Sequence, residues 1–374
     1  MLDSNFSSPW IQFHGDFLLT PNTIRIMIMT LSISIGEHYM SLIKKLMSNS
    51  KIKKTAILTE SEVFNEKDVI STSVPMLNVA LSGKIDGGLS PGLLVIAAES
   101  KHFKSSFALV LGSAFQQKHP DGIILFYDTE FGMPQQYFKQ FGIDTNRVVH
   151  VPITDVEELK HDIVNQLNNI NRGEKVFIIL DSLGNLASKK EVEDAIEGKS
   201  VADMSRAKQF KSLFRMVTPH LTLKDIPMVV INHVYKEIGT MFPKTIPGGG
   251  TGAIYSANDI WIIGRQQEKE KGSSEVAGFN FIINIEKSRT VKEKSKIPIT
   301  VMLESGIEKW SGLFEIALDG EYIKEMSSGW YSTDGEKKRR RADIENDTEF
   351  WQNLIQNDKF KTFVHQKYSL VKGE

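Results

Sequence analysis

From residue 91 onward the chain carries short, uninterrupted runs of aliphatic and β-branched residues. Such runs predict strands that are buried on both faces, as in a parallel sheet. Helix-length stretches separate several of them, and this alternation indicates right-handed βαβ units with helices covering the sheet. Two later runs alternate between apolar and polar residues, which is typical of added antiparallel strands. The predicted parallel strands are 93–98, 123–127, 148–151, 176–180, 228–231 and 260–263, the antiparallel pair is 279–286 and 297–303, and the predicted helices are 104–118, 134–141, 155–171 and 202–221.

The pattern weakens towards both ends of the chain, which suggests a core with smaller attachments. Residues 1–39 show no clear period, and we expect either an extension or sequence upstream of a true start at Met40. Residues 40–75 are polar and basic and predict an arm of short amphipathic helices. The α/β core is expected at 76–326, and residues 327–374 predict a small helical region that follows an exposed basic loop.

Composition narrows the possible functions. The 374 residues include 45 Lys and Arg against 46 Asp and Glu, so any contact with nucleic acid must come from a local loop or patch. The absence of cysteine excludes disulfides, thiolate nucleophiles and Cys-ligated metal sites. The most apolar stretch near the N-terminus, residues 24–35, is far shorter than the roughly 20 residues that span a bilayer.

One segment resembles a phosphate-binding loop. Residues 98–105, A-E-S-K-H-F-K-S, stand between a predicted strand and a predicted helix. The pattern G-x-x-x-x-G-K-[ST] supplies backbone N–H groups and a lysine for phosphates and a hydroxyl for Mg²⁺. Here the Lys-Ser end fits, while Ala98 and Phe103 replace the glycines, which is acceptable wherever φ stays negative. The candidate nucleotide-binding residues in this loop are Ala98, Glu99, Ser100, Lys101, His102, Phe103, Lys104 and Ser105.

Carboxylates follow two further predicted strands. The run 124–127 ends in Asp128-Thr129-Glu130, and the run 176–180 ends in Asp181. Open α/β sheets bind ligands at the carboxyl ends of their strands, and an apolar strand that closes on an Asp is typical of a magnesium site in nucleotide hydrolases. Any strand must end on something polar, so each end alone is weak support. The order of phosphate loop, carboxylate and Asp together favours a nucleotide site.

The complete order of motifs resembles the RecA-type recombinases, most closely the UvsX recombinases of tailed bacteriophages, over about residues 60–370. The resemblance implies a RecA-like P-loop ATPase core with a mainly parallel sheet flanked by helices, an N-terminal arm for polymerisation and a small helical C-terminal region. The phage relatives also carry Phe where the pattern asks for its second glycine. The stretches that carry it are F-N-E-K-D-V (64–69), L-F-Y-D-T-E-F-G (125–132), I-L-D-S-L-G-N-L-A-S-K-K-E (179–191), I-N-H (231–233), G-G-G-T-G (248–252) and E-K-S-R-T-V-K-E-K-S-K (286–296).

The resemblance assigns roles to these residues. Lys104 would bind the β- and γ-phosphates of ATP, and Ser105 would ligate Mg²⁺, with Asp181 in the outer shell of the ion. Glu130 would be the general base that aligns the attacking water. The cofactors implied are therefore ATP and Mg²⁺.

Four more residues receive roles in the same way, each with a plainer structural alternative. Tyr137 would stack on adenine, although it could be a half-buried helix aromatic. His233 would sense the γ-phosphate, although a lone histidine is often structural. Lys287 and Arg289 would reach the ATP of a neighbouring protomer and act like arginine fingers, or they would be an exposed basic strand end.

Two long interruptions of the strand–helix rhythm, residues 188–205 and 234–255, correspond by resemblance to two DNA-binding loops. The second is rich in glycine, including Gly249 and Gly250, so it could change order with nucleotide state. Apolar residues there would wedge between bases, and basic residues would contact phosphates independently of sequence. The wedge candidates are Ile238, Met241 and Phe242, and the phosphate-contact candidates are Arg206, Lys208 and Lys244.

The expected function is that of an ATP-dependent strand-exchange recombinase, acting in recombination, recombination-dependent replication and repair. It would form a helical filament on single-stranded DNA, pair it with homologous double-stranded DNA and hydrolyse ATP at protomer interfaces. By resemblance, its partners would include a recombination mediator and a single-strand DNA-binding protein, in the cytoplasm of an infected bacterial host.

Two other functions stay open. A hexameric RecA-fold motor such as a helicase would also use basic fingers from a neighbour. A DNA-coating protein with a degenerate ATPase site is supported by Ala98, whereas Lys104, Glu130 and Asp181 count against it.

Overall fold

The computed structural model describes residues 11–13, 17–19, 21–63, 67–198, 205–236, 245–269 and 275–370. The chain divides into two compact units, residues 1–66 and 67–374. In the described part of the chain, no helix is both long enough and apolar enough to cross a membrane.

The first unit is built around one long helix, α1 (Pro21–Asn49). Two short antiparallel strands precede it, β1 (Ile11–Phe13) and β2 (Phe17–Leu19), and a 3₁₀ turn at Leu58–Glu60 follows. Instead of short helices that begin after position 40, a single helix runs across that position. The expected boundary at 39/40 therefore lies inside α1, and the first compact unit ends at residue 66.

The second unit contains one large mixed sheet. Six strands are parallel and lie in the order β5-β4-β6-β7-β3-β9, and β10, β11 and β12 continue the sheet antiparallel beyond β9. β8 pairs with the end of β7. The strands are β3 (Gly92–Ala98), β4 (Ile123–Asp128), β5 (Val148–Pro152), β6 (Val176–Asp181), β7 (Pro227–Lys236), β8 (Thr245–Pro247), β9 (Asp259–Lys269), β10 (Val276–Lys287), β11 (Lys296–Met302) and β12 (Gly306–Ile307).

Helices cover both faces of this sheet, and each face carries its own apolar cluster. α2, α3, α4 and the C-terminal helices pack on one face, and α5, α7 and α8 pack on the other. This is the flanked, mainly parallel sheet that the sequence predicts. The helices are α2 (Pro75–Ser82), α3 (Lys104–Lys118), α4 (Gln135–Gln140), α5 (Val156–Asn169), α6 (Lys189–Ile196), α7 (Ser205–Lys224), α8 (Thr251–Ser256), α9 (Leu313–Asp319), α10 (Arg341–Glu345), α11 (Thr348–Gln356) and α12 (Asp358–Tyr368).

Strand β5 departs from the prediction of strands buried on both faces. It is the edge strand of the sheet, and its residues are half-buried or exposed, including the exposed Val149 and His150. A four-residue apolar run cannot distinguish an edge strand from a central one, because the partner strand is not encoded locally.

The two predicted loops contain more regular structure than expected. α6 begins with a capping box between Ser188 and Glu191, and the second loop contains β8 and α8. Residues 199–204 and 237–244 of these loops lie outside the described residues.

The C-terminal region adds the hairpin β13 (Lys324–Ser327) and β14 (Trp330–Ser332) to helices α10 to α12. The three arginines of its basic run contact neighbouring side chains, whereas Lys337 and Lys338 are exposed. Arg339 pairs with Asp347 at 2.7 Å, and the guanidinium of Arg340 lies 3.8 Å from the ring centroid of Trp330. Arg341 pairs with Glu315 and Glu345.

Candidate nucleotide-binding site

A pocket of about 290 Å³ lies where β3, β4, β6 and β7 present their carboxyl ends. Ten of its lining residues are sequence-predicted site residues, and Ser106 is the additional one. The predicted residues in the lining are Ser100, Lys101, His102, Phe103, Lys104, Ser105, Glu130, Tyr137, Asp181 and His233.

The phosphate loop tolerates its first replaced glycine easily. Ala98 is the last residue of β3, where the backbone is extended, so a glycine's freedom is not required. Lys101 and Phe103, in contrast, each have a φ of 61°. Left-handed backbone costs a non-glycine residue about 1–2 kcal/mol. The conformational freedom of glycine is therefore not needed at Ala98, whereas Phe103 adopts the positive φ that favours glycine.

Packing of the Phe103 side chain accounts for its place in the loop. Its ring centroid lies 5.2 Å from that of Phe281 in a stacked arrangement and 5.3 Å from that of Phe107 in an edge-on arrangement. Phe141 lies 6.3 Å away. Aromatic pairs contribute about 0.5–1.5 kcal/mol each beyond burial. These contacts offset the backbone cost and attach the loop to α3 and β10.

Lys104 and Arg265 fix the loop by bonds to its carbonyl groups. The buried Lys104 donates from Nζ to the carbonyl oxygen of Glu99 at 2.8 Å. Burial lowers the pKa of Lys104, and the nearby carboxylates of Glu130 and Asp181 oppose this shift. From β9, Arg265 donates to the carbonyl oxygen of Lys101 at 2.9 Å. An ammonium held only by a carbonyl can exchange that bond for a phosphate oxygen.

Ser105 and Asp181 form a pair suited to magnesium. Ser105 Oγ donates to Asp181 Oδ2 at 2.6 Å, and burial raises the pKa of Asp181 to about 6. Asp181 Oδ1 is buried and has no hydrogen-bond partner in the described part of the chain. Mg²⁺ is usually bound by one or two carboxylates together with substrate phosphates, so this donor set fits the ion.

Glu130 lies across the pocket, and Ser182, one of the residues that hold it, was not among the predicted site residues. Its Oε1 accepts a hydrogen bond from Ser182 Oγ at 2.8 Å and lies 3.4 Å from His233 Nε2. Asp128 Oδ1 accepts the backbone N–H groups of Glu130 at 3.1 Å and of Phe131 at 2.8 Å. The carboxylate is therefore fixed at both its backbone and its side chain.

His233 links the pocket to the glycine-rich turn. It pairs in register with Ala98, and a Cβ at Gly184 would come within 2.5 Å of its ring. The preceding Asn232 donates from Nδ2 to the carbonyl oxygen of Gly248 at 2.8 Å. A displacement of Asn232 would therefore move the backbone at Gly248, and a displacement of Gly248 would move Asn232.

Tyr137 lies at the side of the pocket, on α4. Its hydroxyl is 2.6 Å from that of Ser106, and its ring contacts Phe141. Two consecutive serines follow Lys104, and the phosphate-loop pattern needs only Ser105. The extra serine was the sequence signal that could have pointed to Ser106.

The remaining predicted residues lie outside the pocket. Lys287 ends β10 and bonds to carbonyl groups at the end of α8, and Arg289 is exposed. Arg206 donates to the carbonyl oxygen of Gly184 instead of pointing into solvent, whereas Lys208 is exposed. Gly249 and Gly250 have φ of 79° and 77°. The predictions for Ile238, Met241, Phe242 and Lys244 fall outside the described residues.

Comparison with known proteins decides the family. The family described as RecA N-terminal domain matches residues 35–308, and the C-terminal domain of the bacteriophage T4 recombination and repair protein matches residues 310–364. The chain belongs to the RecA family. It is 47% identical to the recombination and repair protein of Enterobacteria phage T4 over 336 residues, which cover 87% of this chain and 85% of that protein.

Bacterial relatives are more distant but span most of the chain. The chromosomal RecA protein of Lactococcus lactis is 27% identical, over 76% of this chain and 72% of that protein. The RecA protein of Streptomyces rimosus is 25% identical, over 76% and 73%. The predicted family and fold class are thereby confirmed. Membership implies nucleotide binding with Mg²⁺, ATPase activity, DNA binding and filament formation as general properties.

Proposed function

We propose that this chain is a DNA strand-exchange recombinase whose filament on single-stranded DNA hydrolyses ATP at protomer interfaces and pairs the bound strand with homologous duplex. One observation carries the proposal: the phosphate loop, Asp181 and Glu130 meet in one pocket at the carboxyl ends of neighbouring strands. The T4 relative is a recombination and repair protein, which favours a recombinase over a hexameric motor.

In this pocket each residue would have a distinct task. Lys104 would exchange its carbonyl partner for the β- and γ-phosphate oxygens. Ser105 and Asp181 would hold Mg²⁺, which neutralises charge on the phosphates when bound. Glu130, oriented by Ser182, would align the water that attacks the γ-phosphate.

Two residues would respond to the bound nucleotide. His233 would donate a hydrogen bond to the γ-phosphate, and its Nε2 lies 3.4 Å from Oε1 of Glu130, the proposed general base. The bond from Asn232 to the carbonyl of Gly248 would carry that state to the glycine-rich turn and the second DNA loop. Tyr137 would pack against the nucleobase from the side of α4.

The two candidate finger residues stand apart from the nucleotide pocket. Lys287 and Arg289 do not line it in their own chain. We infer that they serve the pocket of the next protomer, so hydrolysis would depend on assembly on DNA. Exposed Lys208 would contact DNA phosphates, and the contact would be sensitive to salt.

The degenerate-site alternative loses its main support. Ala98 lies in extended backbone within β3, so the missing first glycine does not remove a required conformation. By kinship with the phage relative, we place the activity in an infected bacterial host, together with a mediator and a single-strand binding protein.

ATP hydrolysis with and without single-stranded DNA, in the wild type and in Glu130→Gln, tests the proposal. We expect strong stimulation by DNA and a loss of about 100-fold or more in Glu130→Gln, with nucleotide binding retained. The exposed Glu268→Gln is the matched control and should behave as wild type. DNA binding without turnover in the wild type would contradict the proposal and favour a DNA-coating protein.

A further inference from the structure

The turn that follows β10 carries two cations around one buried serine, and we call residues 287–289 the basic tip. Ser288 is buried, Lys287 is half-buried and Arg289 is exposed. Two long basic side chains can serve a neighbouring pocket only if the backbone between them is fixed. The contacts of Ser288 and Lys287 show what fixes it.

A single carboxylate organises the backbone of the basic tip. Asp259, the first residue of β9, accepts a hydrogen bond from Ser288 Oγ at 2.6 Å. Ser288 Oγ in turn accepts the backbone N–H groups of Thr290 at 3.1 Å and Val291 at 2.9 Å. Asp259 and Ser288 therefore close the turn together.

A second contact holds the lysine of the basic tip. Lys287 Nζ donates to the carbonyl oxygens of Ile254 at 2.8 Å and Tyr255 at 3.2 Å, in the last turn of α8. Carbonyl groups at a helix C-terminus lack partners within the helix and attract cations. Both holding groups therefore belong to one stretch, Thr251–Asp259, which follows the glycine-rich turn directly.

We propose that Asp259 is a positioning residue for hydrolysis: through Ser288 it fixes the turn that presents Lys287 and Arg289 to the next protomer. This inference rests on the proposed role of those two cations. Because Asp259 and α8 follow the second DNA loop, the same stretch links DNA binding to the presentation of the basic tip. Asp259 itself does not line the nucleotide pocket.

The first test separates kcat from KM. Asp259→Asn keeps the shape of the side chain but removes the negative charge that accepts the bond from Ser288. We expect kcat for DNA-stimulated hydrolysis to fall about 10-fold while KM for ATP stays within about twofold, because only the transition state needs the aligned cations. Asp162→Asn is the matched control, since Asp162 accepts an equally short 2.6 Å bond from Tyr127 elsewhere in the core.

The second test asks whether the defect acts on the neighbour. Asp259→Asn keeps an intact pocket, and Glu130→Gln keeps an intact basic tip. In an equal mixture on DNA, about a quarter of the head-to-tail interfaces would join an intact tip to an intact pocket, so turnover should rise to about a quarter of wild type. Neither variant alone reaches that rate.

The parallel mixture of Lys287→Ala with Glu130→Gln separates this inference from the function on which it rests. If turnover recovers in the mixture that contains Lys287→Ala but not in the mixture that contains Asp259→Asn, the positioning role of Asp259 is overturned. The role of Lys287 in the pocket of the neighbouring protomer, its trans role, would then still stand. Recovery with neither would contradict the trans role itself. Wild-type kcat in Asp259→Asn would also overturn the inference. If that variant does not fold, Ser288→Ala removes the same bond and takes its place in both tests.

Discussion

The two halves of the large sheet differ in what their ends carry. Four of the six parallel strands, β3, β4, β6 and β7, converge on one pocket, and the segments at their ends supply Lys104, Glu130, Asp181 and His233. The antiparallel half ends in the basic tip, which does not line that pocket. The parallel half thus forms a nucleotide-binding site within one chain, whereas the antiparallel half presents charge elsewhere. We therefore expect substitutions in the two halves to affect different measured properties.

The largest expected effect is on turnover, and it comes from the antiparallel half. Replacing both Lys287 and Arg289 by alanine should lower DNA-stimulated hydrolysis about 1,000-fold, which is the low end for loss of a trans cation. Nucleotide affinity should change little, because the pair does not line the pocket of its own chain. Steady-state hydrolysis and a fluorescent-nucleotide titration measure the two quantities.

Lys296→Ala is the control for that double variant, because Lys296 is an exposed lysine in the same lysine-rich stretch, residues 286–296. It should keep wild-type turnover. A proportional loss of nucleotide affinity in the double variant would place the two cations in the pocket of their own chain and break the distinction between the halves.

The next effect concerns stability and comes from the parallel half. Burial raises the pKa of Asp181 to about 6 from an ordinary value of 3.8. A carboxyl group whose pKa is raised in the folded state stabilises the folded protein when it is protonated. This contribution to the free energy of unfolding is complete at a pH below the unfolded-state pKa of 3.8, and it is lost as the pH rises through about 6. The ionised form at pH 8 therefore costs about 1–3 kcal/mol without a bound cation.

Thermal unfolding of nucleotide-free Asp181→Asn at two pH values measures this cost. The variant should melt several degrees higher than wild type at pH 8 and should lose most of that advantage at pH 4. The exposed Asp121→Asn serves as control and should show no such pH dependence. A variant that melts lower than wild type at pH 8 would mean that the ionised carboxylate stabilises the empty pocket.

The smallest expected effect tests how the halves are joined, since Phe103 in the loop stacks on Phe281 of β10. Phe103→Gly restores the usual phosphate-loop residue and relieves a φ of 61°, but it removes three aromatic contacts. We expect a net loss of about 1–2 kcal/mol in the free energy of unfolding. Phe103→Leu should lose less by retaining part of the packing, and a more stable glycine variant would contradict the anchoring role.

The parallel half was largely predictable from sequence, and the reason is local encoding. Each predicted parallel strand overlaps an observed one, and helix α3 has the predicted bounds, 104–118. Apolar runs and the residues at their ends are properties of consecutive positions. The order of the strand ends then brought ten predicted residues into one pocket.

Features set by distant partners escaped prediction. The edge position of β5 and the hydrogen bonds from Ser182 to Glu130 and from Ser288 to Asp259 depend on strands that are far apart in sequence. The pairs of Arg339 with Asp347 and of Arg341 with Glu315 were not predicted, because these acidic partners lie on other elements. The helix across position 40 was missed because the segment before it has no clear period.

The central claim is that each pocket is completed by a neighbouring protomer. The most direct test measures ATP hydrolysis on single-stranded DNA of increasing length, with the total concentration of DNA nucleotides held constant. The account predicts almost no stimulation by oligonucleotides that seat one protomer and a steep rise once two or more protomers are adjacent, because each pocket needs the basic tip of a neighbour. Full stimulation by the shortest oligonucleotides, at protein concentrations where the chain is monomeric, would show that one chain holds a complete site and would contradict the account.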